Sequence, residues 1–262
     1  MADDDIILET RGLTKHYGGV HALNDTDFVL RKGEHVAIMG DNGAGKSTFV
    51  RQITGVEQRT SGTIIFDGRE VNFKGPLEAR EAGIETVFQT LALADHLDVP
   101  DNIFLGRERT KWNWLGPFRR LDYKRMRDET LAALDRTAVK IPNINNAIQN
   151  MSGGQRQCVA IARTASFQSR LTIMDEPTAA LGVQETGQVE KIIRNLKEAG
   201  EPLILVSHNM RQVFDLVDRI VVFRRGRICA NLDIRDGKTT GEDVVGYITG
   251  VKTGSEYQET AV

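Results

Sequence analysis

Gly40-Asp41-Asn42-Gly43-Ala44-Gly45-Lys46-Ser47 sets three glycines, a lysine and a hydroxyl in the spacing G-x-x-x-x-G-K-S/T, with Thr48 next in line. Glycines let backbone N–H groups turn inward around phosphate oxygens. Lys46 can bridge the β- and γ-phosphates of a nucleotide, and Ser47 can bind Mg²⁺. The segment follows a strand-like stretch, Glu34–Met39, and opens a helix. A helix N-terminus there adds unpaired donors and partial positive charge. A chance glycine-rich turn is the competing reading, and the strand-loop-helix context disfavours it.

A second cluster lies at Asp175-Glu176-Pro177, directly after the apolar run Leu171–Met174. A buried strand would deliver two adjacent carboxylates whose side chains diverge. Asp175 is assigned to the metal shell and Glu176 to the attacking water. Alone, Asp-Glu after a strand is usually a solvated turn; beside a phosphate loop the chemical reading dominates. Met151-Ser152-Gly153-Gly154-Gln155 is a third device. Ser152 is a good N-cap, and the two glycines expose backbone N–H groups at a helix start. One nucleotide does not need two cradles in one chain, so this turn is read as closing on a nucleotide held by another copy.

The elements that must position these groups alternate in type. Ile6–Arg11 and Asn24–Leu30 read as strands. Thr63–Phe66 and Val71–Phe73 flank Asp67-Gly68, a hairpin signal. Ile84–Phe88 is a strand followed by Gln89. From about Leu91 to Phe167 the strand signal fades. Tyr123–Thr137 has helical spacing of Met126, Leu131 and Leu134 behind an Asp122 N-cap, and Ser152 opens a helix over Gly153–Ala165. Strands return at Leu171–Met174, Leu203–Val206 and Ile220–Phe223, with a helix at Glu185–Ala199 and a last short one at Gly241–Gly250. The alternation predicts one α/β core with a largely parallel sheet, a β-rich start and a helical insertion.

The 262 residues are 40% apolar, which suffices for a sizeable core, and carry a net charge of −2. Near-neutrality weakens a case for non-specific nucleic-acid binding. The longest apolar runs fall far short of a membrane span. The start, Met1-Ala2-Asp3-Asp4-Asp5, is acidic where a signal peptide is basic. Cys158 and Cys229 form no C-x-x-C pair, so a reducing compartment is expected.

Phosphate loop, Gln89, Ser-Gly-Gly-Gln, Asp175-Glu176 and His208, in that order, resemble the ATP-binding cassette of ABC transporters. The resemblance covers about residues 6–250. It implies a P-loop NTPase (RecA-like) α/β core with an N-terminal antiparallel β subdomain and an inserted α-helical subdomain at about 91–167, together forming one domain over 1–250 with a polar tail at 251–262. It implies ATP and Mg²⁺ as ligands. It implies a head-to-tail dimer of two copies, each ATP lying between one copy's phosphate loop and the other's Ser152–Gln155. Tyr17 would stack on adenine, Gln89 would contact Mg²⁺ or the water, and His208 the γ-phosphate. Outside the family, Tyr17 reads as a strand-end aromatic and His208 as part of a polar turn. His16, His21, His35 and His96 lack ligand spacing and read as surface or structural.

Phe88-Gln89-Thr90-Leu91-Ala92-Leu93, Asn102–Glu108 and Pro177–Gly182 resemble monosaccharide importers of the ribose, xylose and fructose kind. The expectation is an ATPase subunit on the cytoplasmic face of the inner membrane. It would serve transmembrane permease subunits and, through them, a periplasmic sugar-binding protein, with no nucleic-acid partner. The alternative is a soluble cassette ATPase acting on nucleic acid or ribosomes, but the 62 residues between Gln89 and Ser152 lack sustained heptads. The general cassette pattern places Asp where this chain has Gly182, and Leu where it has Met151. Residues 101–127 hold eight basic against three acidic residues, with Trp112, Trp114 and Phe118 among them. This stretch suits base stacking, a partner interface or a solvated helical face.

Overall fold

The computed structural model describes residues 5–111, 119–137, 139–167, 169–179 and 181–253. Two compact units divide the chain, one within Met1–Thr86, Arg170–Glu176 and Leu196–Val262, the other within Val87–Ser169 and Pro177–Asn195. The chain opens with β1 (Ile6–Tyr17), β2 (Val20–Arg31), β3 (His35–Gly40) and α1 (Lys46–Ile53). Next come β4 (Ser61–Phe66), β5 (Arg69–Val71), α2 (Pro76–Glu81) and β6 (Ile84–Val87). The middle holds α3 (Val99–Phe104), β7 (Thr110–Lys111), β8 (Arg120–Leu121), α4 (Tyr123–Arg136) and α5 (Gly153–Ala165). After them run β9 (Leu171–Asp175), α6 (Val183–Glu198), β10 (Leu203–Val206) and α7 (Met210–Leu216), then β11 (Arg219–Arg224), β12 (Arg227–Asp233) and α8 (Gly241–Thr249).

The first unit contains two sheets. β2-β1-β4-β5 is antiparallel, as alternating burial along β1 and β2 requires. The other has the order β12-β11-β3-β10-β9-β6. Its inner strands β11, β3, β10 and β9 are parallel, and β12 closes one edge antiparallel. Continuous apolar runs such as Leu203–Val206 are buried along their whole length, the signature of a strand covered on both faces. Phe49 of α1 joins the sheets, its ring 5.2 Å from Phe28 and 5.4 Å from Phe223. Arg219 ties the same sheets through charge. It donates to Glu34 at 2.6 and 3.0 Å, to the Val29 carbonyl at 2.6 Å and to Asn231 at 2.8 Å, with both charged partners 11% exposed.

In the second unit α3, α4 and α5 pack together. The buried Asn102 amide bonds the backbone of Ala94, Leu97 and Asp98 and so shapes the loop before α3. Much of the basic stretch serves this unit's own packing. Arg107 lies 4.2 Å over the Phe167 ring, while Arg109 and Arg125 share Glu129 at 2.8 and 2.7 Å. Trp112, Trp114 and Phe118, and the tail from residue 254, lie outside the described residues.

The expected α/β order holds, with local corrections. Asp67 and Gly68 both take positive φ (50° and 74°), so the turn has two residues and β5 must begin at Arg69; Phe73 lies beyond the ladder. Leu131 is exposed, and the buried stripe of α4 is Met126, Thr130, Ala133 and Leu134. The helix after β9 begins at Val183, and α3, α7 and the β7–β8 pair were not read. Cys158 is buried, and burial pushes its thiol up to about 11; burial also raises the Cys229 thiol.

Two predictions follow from the packing. His35 is fully buried; Nε2 donates to the Glu201 carbonyl at 2.9 Å, and among the described residues Nδ1 has no partner within hydrogen-bond geometry. Burial holds its pKa below the ordinary value, against the pull of that carbonyl. The unfolded chain therefore binds a proton that the folded chain refuses. Stability is full above about pH 6.5 and falls as pH drops through that value. Urea midpoints should fall on acidification, less so in His35→Gln; equal slopes would refute this assignment. At the end of β3, Gly40 has φ 150°, and a Cβ there would stand 2.3 Å from the Phe223 carbonyl oxygen. Gly43 (φ 76°) faces open space. Gly40→Ala should cost ~3 kcal/mol in urea unfolding and Gly43→Ala ~1 kcal/mol.

Candidate functional site

The strands β3, β10 and β9 lie side by side and parallel, so their C-terminal ends share one edge of the sheet. Such an edge is where ligands bind in α/β sheets. The phosphate loop leaves the end of β3, Asp175 closes β9 with Glu176 next, and His208 follows β10 by two residues.

Residues 40–47 form a cradle whose backbone takes positive φ, which favours glycine, at three points, Gly40, Gly43 and Gly45. A Cβ on Gly45 would stand 2.7 Å from the Ala22 carbonyl oxygen, so the start of α1 is pressed against β2. Asp41 and Asn42 are exposed at the crown, and Ala44 is buried beneath. A cleft of about 380 Å³ is lined by Val20–Ala22 of β2 and by residues 42–48. Lys46 Nζ donates to the carbonyls of Gly40 (2.7 Å) and Asp41 (2.9 Å). Burial lowers its pKa, opposed by the nearby charges of Glu176, Asp175 and Asp41. Lys46 therefore lies within electrostatic reach of both carboxylates.

Burial raises the Asp175 pKa, helped by the negative charge of Glu176 and opposed by Lys46 and Arg51. Glu176 takes φ 52°, a left-handed conformation that costs a non-glycine residue ~1 kcal/mol. Its N–H donates to the Val206 carbonyl at 2.9 Å, so the strained turn is anchored to β10. Glu176 Oε1 lies 2.9 Å from His208 Nδ1; the carboxylate is 17% exposed and the imidazole 75%. Because the carboxylate accepts, Nδ1 carries the proton and Nε2 is left toward solvent.

Tyr17 is 45% exposed at the end of β1. Its hydroxyl donates to Glu57, and Lys15 Nζ lies 5.1 Å from the ring centroid. Its pKa is raised by burial and by Glu57, while a Thr48 hydrogen bond pulls the other way, which places the phenol beside the first turn of α1. The Val20–Ala22 wall was missed by sequence reading, although the Gly18-Gly19 turn points β2 back toward the loop.

The second unit carries Gln89 and the Ser152–Gln155 turn. Gln89 is exposed two residues after β6. Arg163 of α5 donates to the carbonyls of Leu91 (3.0 Å) and Ala92 (2.9 Å), so the loop after Gln89 is tied to the helix that Ser152 starts. Ser152 Oγ accepts from the Gln155 N–H at 3.2 Å, and Gln155 Oε1 accepts from the Ser152 N–H at 3.0 Å. This reciprocal cap uses the Gln155 side chain locally. It leaves the N–H groups of Gly153 and Gly154 among the first-turn donors outside the helical ladder.

The donors suit magnesium. Ser47 supplies an exposed hydroxyl and Asp175 a half-buried carboxylate whose charged form burial disfavours and a cation would favour. Among the described residues no three His, Cys, Asp or Glu side chains gather as a metal cage. Magnesium needs none, since it keeps waters and takes phosphate oxygens.

A family model described as "ABC transporter" matches residues 23–179. The chain is 47% identical over 248 residues to the fructose import ATP-binding protein FrcA of Rhizobium meliloti, covering 94% of this chain and 95% of that protein. It is 43% identical over 222 residues to the xylose/arabinose import ATP-binding protein XylG of Sulfolobus acidocaldarius, covering 85% and 86%. Its fold matches the dimeric structure of a bacterial ABC transporter cassette with a TM-score of 0.75 at 24% identity, covering 87% of this chain and 99% of that one. With the phosphate loop, acidic strand end and Ser-Gly-Gly-Gln turn all in place, the chain belongs to the ABC transporter family.

Proposed function

We propose that this chain hydrolyses ATP to power import of a monosaccharide through separate transmembrane permease subunits. The observation that carries the reading is Glu176, held at positive φ against His208 beside Lys46 and Asp175. A strained carboxylate over a phosphate cradle is an arrangement for aiming water at a γ-phosphate. The 47% relative makes fructose the sugar to test first.

In this reading Tyr17 stacks on adenine, and the backbone of residues 40–48 cradles the phosphates. Lys46 exchanges its two carbonyl partners for the outer phosphates. Ser47, Asp175 and Gln89 hold Mg²⁺, which when bound neutralises charge on the phosphate oxygens. Glu176 accepts a proton from water as the water oxygen bonds to the γ-phosphorus and the bond to the ADP oxygen breaks, giving ADP and inorganic phosphate. His208 fixes the Glu176 carboxylate through its Nδ1–H, and donates to the γ-phosphate when Nε2 also carries a proton. Residues 1–250 act as one cassette, with the helical part at about 91–167.

Each ATP is completed by Ser152–Gln155 of a second copy, whose first-turn N–H groups and helix dipole favour an anion. Among the described residues no helix is long and apolar enough to cross a membrane. In this reading the dimer works from the cytoplasmic face of the inner membrane, bound to permease subunits that receive sugar from a periplasmic binding protein.

Glu176→Gln should keep ATP binding but lose at least ~100-fold in hydrolysis, and size-exclusion chromatography in ATP should show a trapped dimer. Normal turnover would remove Glu176 from the mechanism. Ser152→Arg should abolish that ATP-dependent dimer while calorimetry finds unchanged ATP affinity for the monomer. A collapse of monomer affinity would place the turn on its own chain's nucleotide.

A further inference from the structure

The two glycines of the Ser152–Gln155 turn stand in different surroundings. Gly153 is exposed, and a Cβ on it would meet nothing within 4 Å. Gly154 is buried, and a Cβ there would stand 2.0 Å from Cγ of Glu185 and 3.2 Å from its carboxyl carbon. Glu185 belongs to the first turn of α6 and is half-buried. Its Oε2 stands 2.6 Å from where a Cβ of Gly182 would be. A carboxylate arm thus lies along the first turn of α5, in room left by two glycines. Its charge reaches a turn further on, where it adds to burial in disfavouring the Cys158 thiolate. Gly182 is the position where the general cassette pattern has Asp. A second carboxylate there would meet Glu185 as a like charge in the same space.

First-turn N–H groups and the helix dipole favour an anion. In the separate chain the Glu185 side chain packs on this first turn at Gly154 and brings an anion to it. We propose that Glu185 is an electrostatic latch on the Ser152–Gln155 turn, one that a phosphate brought by a second copy must displace. The latch sets how much ATP the two copies need in order to close. The proposal rests on the sandwich-dimer reading above. Glu185 is a positioning residue, since it acts through the turn and takes no part in hydrolysis. Its effect is one of charge, so an isosteric neutral residue removes it while keeping the packing against Gly154.

The test uses the full chain carrying Glu176→Gln, titrated with ATP and followed by light scattering at low salt. Adding Glu185→Gln should lower the ATP midpoint for dimer formation about three- to tenfold. The gap should shrink as salt rises, because screening weakens the latch. ATP affinity of the monomer should stay the same, because the turn does not serve its own chain's nucleotide. If Glu176→Gln dimerises and Glu185→Gln leaves its midpoint unchanged, or raises it, the latch is overturned alone. If Glu176→Gln stays monomeric in saturating ATP, the sandwich reading is overturned and the latch with it.

Discussion

The chain can make its phosphate cradle only because it leaves β3 without a side chain. Gly40 is paired with Phe223 of β11, and the carbonyl of Phe223 occupies the space a Cβ would need. The same neighbourhood fixes the far end of the cradle. Gly226, in the turn between β11 and β12, donates to the Ala44 carbonyl at 2.9 Å and accepts from the Asn24 N–H at 2.8 Å. Loop, antiparallel sheet and parallel sheet are therefore one hydrogen-bonded unit. A change in how β11 packs on β3 would move the loop, and with it the first turn of α1, where Lys46 and Ser47 sit.

Charge is arranged around that frame with opposing tendencies. Burial disfavours the charged forms of Lys46 and Asp175, while their mutual attraction favours them. In the proposed reading a triphosphate and its cation would bring charges of both signs into the same space, and each group would gain a partner on binding. Glu176 differs, because its position comes from backbone strain and not from burial alone. The Val206 carbonyl and His208, at the end of the neighbouring strand and just beyond it, over-determine the turn. That is the condition under which a left-handed non-glycine residue persists.

The parts of the site that are local in sequence were legible. The phosphate loop, the Asp175-Glu176 strand end and the Ser152 cap each announce themselves through glycines, a cap residue and an apolar run in adjacent positions. The Asp67-Gly68 hairpin was legible too, but its far strand was misplaced by two residues because the turn's length fixes the register. What could not be read depends on residues far apart in the chain. Val20–Ala22 line the cleft because β2 folds back beside the loop, and Glu57 holds Tyr17 across 40 positions. Leu131 has the right spacing for a core stripe yet is exposed, since only contact with α3 and α5 decides which face of α4 is covered. Helix α3 was missed despite Asp98 and Pro100 at its start; six residues are too few for a periodic pattern to stand out.

The two cysteines have a practical consequence. Cys158 lies in the helical unit and Cys229 in the nucleotide unit, and burial raises both thiols, the first to about 11. Thiolate, not thiol, reacts with alkylating reagents. Cys158 is buried and Cys229 half-buried, so the first is muted until its surroundings open while the second stays within a reagent's reach. The chain thus carries its own stopwatch and a reference beside it. Timed alkylation read by mass would clock the opening around Cys158 against Cys229, with no label added.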